Sequence, residues 1–396
     1  MQVSRSYSNS LILICQFNFQ TAVLYGLPFF CIYSAQPKNI FSHLKLVCIL
    51  RKRLAIKKQI KYNLKRALLR FNYCIKNIAT NFNTKGQIMN KFQLITNEVK
   101  KVINGKDRAV VTTLLALLTG GNILIEDIPG VGKTTMAVAF SKALGLEYGR
   151  VQFTPDTLPS DITGFAVYNK DTGKFTFNKG AVFCNLFLAD ELNRTSSRTQ
   201  AALLEAMEER QVTVEGNTFK LEKPFSVIAT QNPTGASGTQ LLPDSQIDRF
   251  TVRLSMGYPD SDAECKMLLN RSGKNPLNSV NCIVSKNEFL EMQSEVQNVF
   301  VSDDMARYIV SLISATRKHP LLSRGASPRA TLSLTDMAKA VAFAEGRDYI
   351  VPRDVQNIFI CTVNHRIILN AKASASKKNS EEILHEILRK TPKPRT

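Results

Sequence analysis

The chain has 396 residues and 44% apolar content, enough for two or three domains with a real core, which argues against a fibrous or disordered protein. Eight cysteines without Cys-x-x-Cys spacing and four isolated histidines (His43, His319, His365, His385) point to neither a zinc site nor a disulfide framework. The formal charge of +20 is uneven: residues 1–88 hold 14 Lys/Arg and no acid, whereas the rest nets +6 and demands no nucleic-acid partner.

Residues 6–37 carry no charge, and residues 51–70 are dense in Lys and Arg. The stretch Leu11–Tyr33 is long enough to span a bilayer, with a basic flank behind it, but Gln16, Asn18, Gln20, Thr21 and Pro28 interrupt it. A basic arm for nucleic acid or anionic lipid is a second reading. The reading we favour is an over-extended start: 88 acid-free residues do not suit a folded domain, and Met89 opens directly into a helical pattern. A membrane partner is expected only if residues 1–88 are native.

From Met89 onward, apolar spacing predicts helices over Phe92–Val102 and Asp107–Leu118, closed by Gly120-Gly121. The short β-branched run Ile123–Ile125 predicts a buried parallel strand. It enters Asp127-Ile128-Pro129-Gly130-Val131-Gly132-Lys133-Thr134-Thr135, a phosphate loop. Gly130 and Gly132 allow backbone N–H groups to close around phosphate oxygens. Lys133 supplies charge for the β- and γ-phosphates, and Thr134 a hydroxyl for Mg²⁺. Thr135–Leu144 reads as a helix whose N-terminus faces the phosphates. The full pattern wants glycine where this chain has Asp127; aspartate tolerates unusual backbone angles, so the departure reads as minor.

Tyr148–Phe153 is the next strand candidate. Two hairpins follow, Phe165–Asn169 with Lys174–Asn178 and Gln211–Glu215 with Thr218–Leu221, around turn residues. Ala201–Arg210 between them is helical. Asn185–Ala189 is an apolar strand ending in Asp190-Glu191, and Phe225–Thr230 another ending in Gln231-Asn232. Alternating strands and helices predict a doubly wound parallel sheet with its site at the strands' carboxyl ends. Beyond Pro259 the pattern is helical, over Ala263–Asn270, Lys286–Val296, Asp303–Thr316, Ser327–Glu345, Arg353–Asn370 and Glu381–Arg389. Ala373–Ser380 is a polar patch.

In this frame Asp190 would hold the Mg²⁺ shell, and Glu191 would orient and activate the attacking water. Asn232 ends the neighbouring strand, where an amide could fix that water. Arg249 could be a finger on a neighbour's nucleotide, or simply pair with Asp248 or Asp244. Arg329 opens a helix where a lid would fold over ATP, or is an ordinary helix-start arginine. Spacing alone leaves both open.

These residues come in the order used by AAA+ ATPases, and the finer resemblance is to the MoxR family. It is carried by Gln152–Gly164 (QFTPDTLPSDITG), Ala189–Arg194 (ADELNR), Leu204–Val214 (LEAMEERQVTV) and Ala229–Pro233 (ATQNP). It continues through Leu242-Pro243-Asp244, Asp248-Arg249-Phe250, Gly325–Arg329 and Gly346–Tyr349. The resemblance covers about residues 92–396 and leaves residues 1–88 outside. It implies an α/β fold: an AAA+ P-loop α/β/α core with parallel sheet and β-hairpin inserts (89–259), then a small all-helical lid domain and C-terminal tail (260–396). The first hairpin becomes an insert within the second helix of the core, the second an insert before the Asn232 strand. It implies ATP and Mg²⁺ as cofactors and a homo-oligomeric ring, read as a hexamer. Arg249 would act across the interface, with Arg194 and Arg198 as rival contacts. It further implies chaperone-like maturation of a protein client in the cytoplasm, the client being in some members a von Willebrand factor A domain protein. A nucleic-acid motor and a non-hydrolysing nucleotide switch are the competing readings; mild charge argues against the first, and Glu191 with Asn232 against the second.

Overall fold

The computed structural model describes residues 91–171, 173–232, 242–258, 261–262, 264–265 and 276–394. The readings of residues 1–88 lie outside these. So does the helix expected at Ala263–Asn270, apart from 264–265, which are helical.

The first helices are α1 (91–100) and α2 (Asp107–Leu118), the latter bounded as the periodicity predicts. Strand β1 (Ile123–Glu126) leads through the phosphate loop into α3 (Lys133–Ala143) and β2 (Tyr148–Gln152). A short α4 (Pro159–Thr163) precedes the hairpin β3 (Gly164–Asn169) and β4 (Lys174–Lys179). Strand β5 (Leu186–Asp190) then gives way to α5 (Ser197–Glu209). The second hairpin, β6 (Gln211–Val214) and β7 (Asn217–Lys220), comes before β8 (Ser226–Gln231). Helix α5 starts four residues before the expected Ala201, because the Ser196 hydroxyl accepts from the Thr199 N–H and caps it.

Five strands form one parallel sheet in the order β2-β5-β8-β1-β9, where β9 is Val252–Leu254, reached through the short helix α6 (Asp244–Ile247). Central strands β5 and β8 are buried throughout, as parallel strands covered on both faces must be. Alternation along β1 sorts its side chains: Ile123 and Ile125 face α2 and α3, whereas Leu124 joins Phe187, Ala229 and the α5 residues Leu203 and Met207. Strand β1 pairs with β8 on one side and β9 on the other, while the chain after α3 crosses to β2 at the far edge. The carboxyl ends of β1, β5 and β8 therefore open onto one crevice at the point where the strand order reverses.

The C-terminal part holds α7 (Lys286–Gln297), α8 (Asp303–Lys318), α9 (Pro328–Ala344), α10 (Pro352–Val363), α11 (Ala371–Ala375) and α12 (Ser380–Lys390). Two differences from the sequence reading stand out. The helix expected over Arg353–Asn370 stops at Val363, and Ile368–Leu369 (β11) pairs antiparallel with Leu322–Arg324 (β10). Helix α11 enters the polar patch Ala373–Ser380. Helices α7 and α9 both pack on α2, so one apolar cluster runs from the sheet into the helical part. No helix among the described residues is long and apolar enough to cross a membrane.

Candidate nucleotide site

The phosphate loop turns at Gly130 (φ 87°) and Gly132 (φ 96°), left-handed conformations that glycine adopts without strain. Gly132 also stands at the N-cap of α3, so the first free N–H groups of that helix face the crevice. Lys133 is buried and donates from Nζ to the Asp127 carbonyl oxygen at 2.6 Å. Burial lowers the basicity of its ammonium, and the carboxylates of Asp127, Asp190 and Glu191 act the other way. A lysine held dry beside three carboxylates is suited to receive polyphosphate.

Asp190 and Glu191 end β5 as expected. Thr134 Oγ1 lies 3.4 Å from Asp190 Oδ2, and the two oxygens converge as the ligands of a hard cation must. Thr134 and Asp190 would hold Mg²⁺ there. A residue the sequence reading missed organises this pair. Thr230 donates its hydroxyl to Asp190 Oδ1 at 2.7 Å and accepts from the Glu191 N–H at 2.8 Å. It thereby fixes both acidic residues from the neighbouring strand. Its position two residues before Asn232 was the available signal. Arg150 on β2 was missed as well; it donates to Asp190 Oδ2 at 2.9 Å.

Glu191 sits at φ 56°, ψ 47°, unusual for a non-glycine residue and of the kind found where a site dictates the backbone. Asn232 donates from Nδ2 to Glu191 Oε1 at 3.2 Å, and Arg194 donates to Oε2 at 2.8 Å. Asn232 Oδ1 and Asn193 Oδ1 are buried acceptors without a protein donor, so polar capacity remains beside Glu191. Thus Lys133, Thr134, Asp190, Glu191 and Asn232 converge.

Arg249 and Arg329 lie together elsewhere. Both pair with Glu208 at the end of α5: Arg249 Nε is 3.2 Å from Oε2, and Arg329 bonds Oε1. Arg198, at the start of α5, is exposed. The Arg249 loop is also gripped from the helical part. Arg366 donates to the carbonyl oxygens of Asp248 (3.1 Å) and Phe250 (2.7 Å), and its Nε is 3.2 Å from Asp248 Oδ1. His365 Nε2 reaches the Phe250 carbonyl at 3.0 Å, and Ser327 donates to the Asp248 carboxylate. Burial pulls the Arg366 guanidinium down to about 10, against the attraction of Asp248. None of Glu208, His365 or Arg366 was legible as part of this arrangement, because their partners lie 41 to 121 residues away in the chain.

Asp127 also departs from the sequence reading. Its carboxylate Oδ2 accepts from the Met256 and Gly257 N–H groups, both at 2.6 Å, and from the Ser255 hydroxyl at 3.1 Å. Oδ1 accepts from the Ile128 N–H at 2.9 Å. Burial raises this carboxyl, but the N–H groups of Gly257, Met256 and Ile128 and the Ser255 hydroxyl outweigh it and hold the group below its ordinary value.

Sheet order, phosphate loop and the Asp190-Glu191 strand end define a P-loop ATPase fold of the AAA+ class, and comparison with known proteins agrees. Residues 122–252 match the family model of the ATPase family associated with various cellular activities, and residues 314–387 match the AAA lid domain. The chain is 37% identical over 306 residues to Chaperone MoxR1 of Mycobacterium tuberculosis, covering 75% of this chain and 81% of that protein. It is 43% identical over 290 residues to YeaC of Bacillus subtilis, covering 73% and 91%. A crystal structure of an ATPase candidate from Cytophaga hutchinsonii aligns with a TM-score of 0.74 at 38% identity, covering 81% of this chain and 99% of that one. The chain belongs to the MoxR family of AAA+ ATPases.

Proposed function

We propose that this protein hydrolyses ATP to ADP and phosphate in a homo-oligomeric ring, read as a hexamer, and uses the cycle to remodel or mature a protein client. The observation that carries the chemistry is the Asn232–Glu191 hydrogen bond beside the Thr134–Asp190 pair. Glu191 takes the proton of the attacking water, and Asn232 holds base and water in register. Lys133 and the N–H groups of residues 130–135 bind the phosphates. Mg²⁺, when bound, neutralises charge on the phosphoryl oxygens. Arg249 completes a neighbour's site and stabilises the transition state. Arg329 shares Glu208 with Arg249 and would contact nucleotide from the lid.

The client reading is supported by the name of the mycobacterial relative, a chaperone, and by the first hairpin. Phe165, Tyr168 and Phe175 of that hairpin are 50%, 52% and 72% exposed, an apolar display that marks a contact surface. A von Willebrand factor A domain protein is the partner we would try first, and the cytoplasm the compartment.

The test is ATP turnover of the purified chain against protein concentration, with Glu191→Gln as control. Turnover per subunit that climbs with assembly and vanishes in the control supports the reading. Nucleotide binding without turnover, with or without client, sinks it in favour of a switch, and stimulation by DNA favours a motor.

A further inference from the structure

Position 127 carries a side chain where the phosphate-loop pattern has none, and nothing around it is idle. The Asp127 N–H donates to the Gln231 carbonyl oxygen at the end of β8, next to Asn232. Its carbonyl oxygen accepts from the Lys133 ammonium, the group that phosphates would draw. Its carboxylate, 7% exposed as a residue, gathers the two N–H groups and the hydroxyl of residues 255–257. Those residues follow β9 directly and begin the passage to the helical domain. Gly257 is left-handed there (φ 62°), and Lys106 donates to the carbonyl of Tyr258. Met256 also approaches the phosphate loop: its methyl carbon lies 4.0 Å from where a Cβ on Gly132 would stand. A carboxylate accepting from three donors on one short segment is a strong, directional tie.

We propose that Asp127 is a positioning residue that ties the lid linker to the phosphate loop, so that nucleoside triphosphate on the loop is felt at residues 255–257 and in the helical domain. The inference rests on the ATPase reading and deepens it. A shift of Lys133 from the Asp127 carbonyl toward phosphate relieves one side of that residue. The carboxylate on its other side carries the adjustment to the linker. A glycine could close the same turn but would transmit nothing.

The experiment uses the full chain, wild type, Asp127→Gly and Asp127→Asn, with Mg²⁺ and the slowly hydrolysed analogue ATPγS. Two quantities are read: affinity for ATPγS, and amide hydrogen exchange in residues 255–258 and in α9. In wild type, ATPγS slows exchange in both segments. In Asp127→Gly, affinity stays within about tenfold, exchange at Met256 and Gly257 rises by about tenfold or more, and α9 no longer responds to the analogue. Asp127→Asn keeps one acceptor oxygen and gives an intermediate response. A wild-type response of α9 in Asp127→Gly overturns the proposal, as does joint loss of affinity and response, which would make Asp127 a phosphate-binding element only. Should Asp127→Gly fail to fold, Ser255→Ala removes a donor without touching the loop. It is expected to weaken the α9 response at unchanged affinity, and an unchanged response overturns the idea. A wild type that binds no ATPγS defeats the ATPase reading itself, an outcome distinct from the others.

Discussion

The Asn232 amide and the Glu191 carboxylate meet at 3.2 Å across the carboxyl ends of two adjacent parallel strands. The other Glu191 oxygen is held by Arg194 at 2.8 Å, so the proposed base is oriented from both sides. Replacing Glu191 with Gln keeps its size and removes its basicity. We expect a fall in kcat of about 10²–10⁴-fold with ATP affinity retained. Asn232→Ala leaves the base but loosens it, and is expected to lower kcat more than it changes KM. Steady-state kinetics alongside equilibrium nucleotide binding separate the two.

The proposed trans role of Arg249 predicts complementation. Arg249→Ala alone is expected to lose roughly 10³-fold or more in turnover, the scale of an arginine finger. Glu191→Gln subunits still carry Arg249, so mixing them with Arg249→Ala subunits restores part of the activity in co-assembled rings. Absence of any recovery on mixing, with assembly verified by light scattering, would exclude a trans finger at this position. The same mixing with Arg194→Ala or Arg198→Ala tests the rivals.

Much of this site was readable in the sequence, and the reason is local. The phosphate loop and the strand ending in Asp190-Glu191 are short contiguous segments whose chemistry depends on neighbours in the chain. Strand β9 escaped notice because three residues, Val252-Arg253-Leu254, are too few to show a period. Strands β10 and β11 escaped for the same reason, and β11 hid behind an apolar run that continued the α10 pattern. Asp127 was read through its backbone tolerance alone. Its carboxylate contacts on the linker lie 128 to 130 residues away, a distance no motif encodes. Thr230 is intermediate: it sits inside a recognised motif, but its two bonds become visible only once β5 and β8 are adjacent.

Arg366 binds the backbone on both sides of Arg249 while itself almost wholly buried. Arg366→Ala would leave the Asp248 carboxylate without its cation and the Asp248 carbonyl without a donor, at a cost of about 3–5 kcal/mol. Arg366→Lys keeps charge but loses the fork, and is expected to fall between alanine and wild type in denaturant titration. Comparable midpoints for all three proteins would refute the tie.

Acidification should weaken the same joint through His365. Burial, then the neighbouring Arg366 cation, drive its pKa well below the ordinary value, with the Phe250 carbonyl bond pulling the other way. The fold therefore keeps His365 neutral, while the unfolded chain protonates near pH 6.5. Stability contributed by the neutral ring is complete above that pH and is lost as pH falls below it, by up to about 1.4 kcal/mol per pH unit. Thermal midpoints between pH 7.5 and 5.5 should decline in wild type and decline less in His365→Gln, which retains a donor for Phe250.

The two inserted hairpins meet in one pair of rings: Phe177 and Phe219 stack with centroids 3.9 Å apart and planes 9° from parallel. Phe183 closes on Phe177 edge-on at 5.5 Å, so the joint is anchored to the body as well. Neither ribbon can therefore be trimmed or exchanged as a separate module. Excising one strips the other of its stacked ring partner. A chimera that tests the proposed client surface has to transplant both ribbons with their shared ring pair intact.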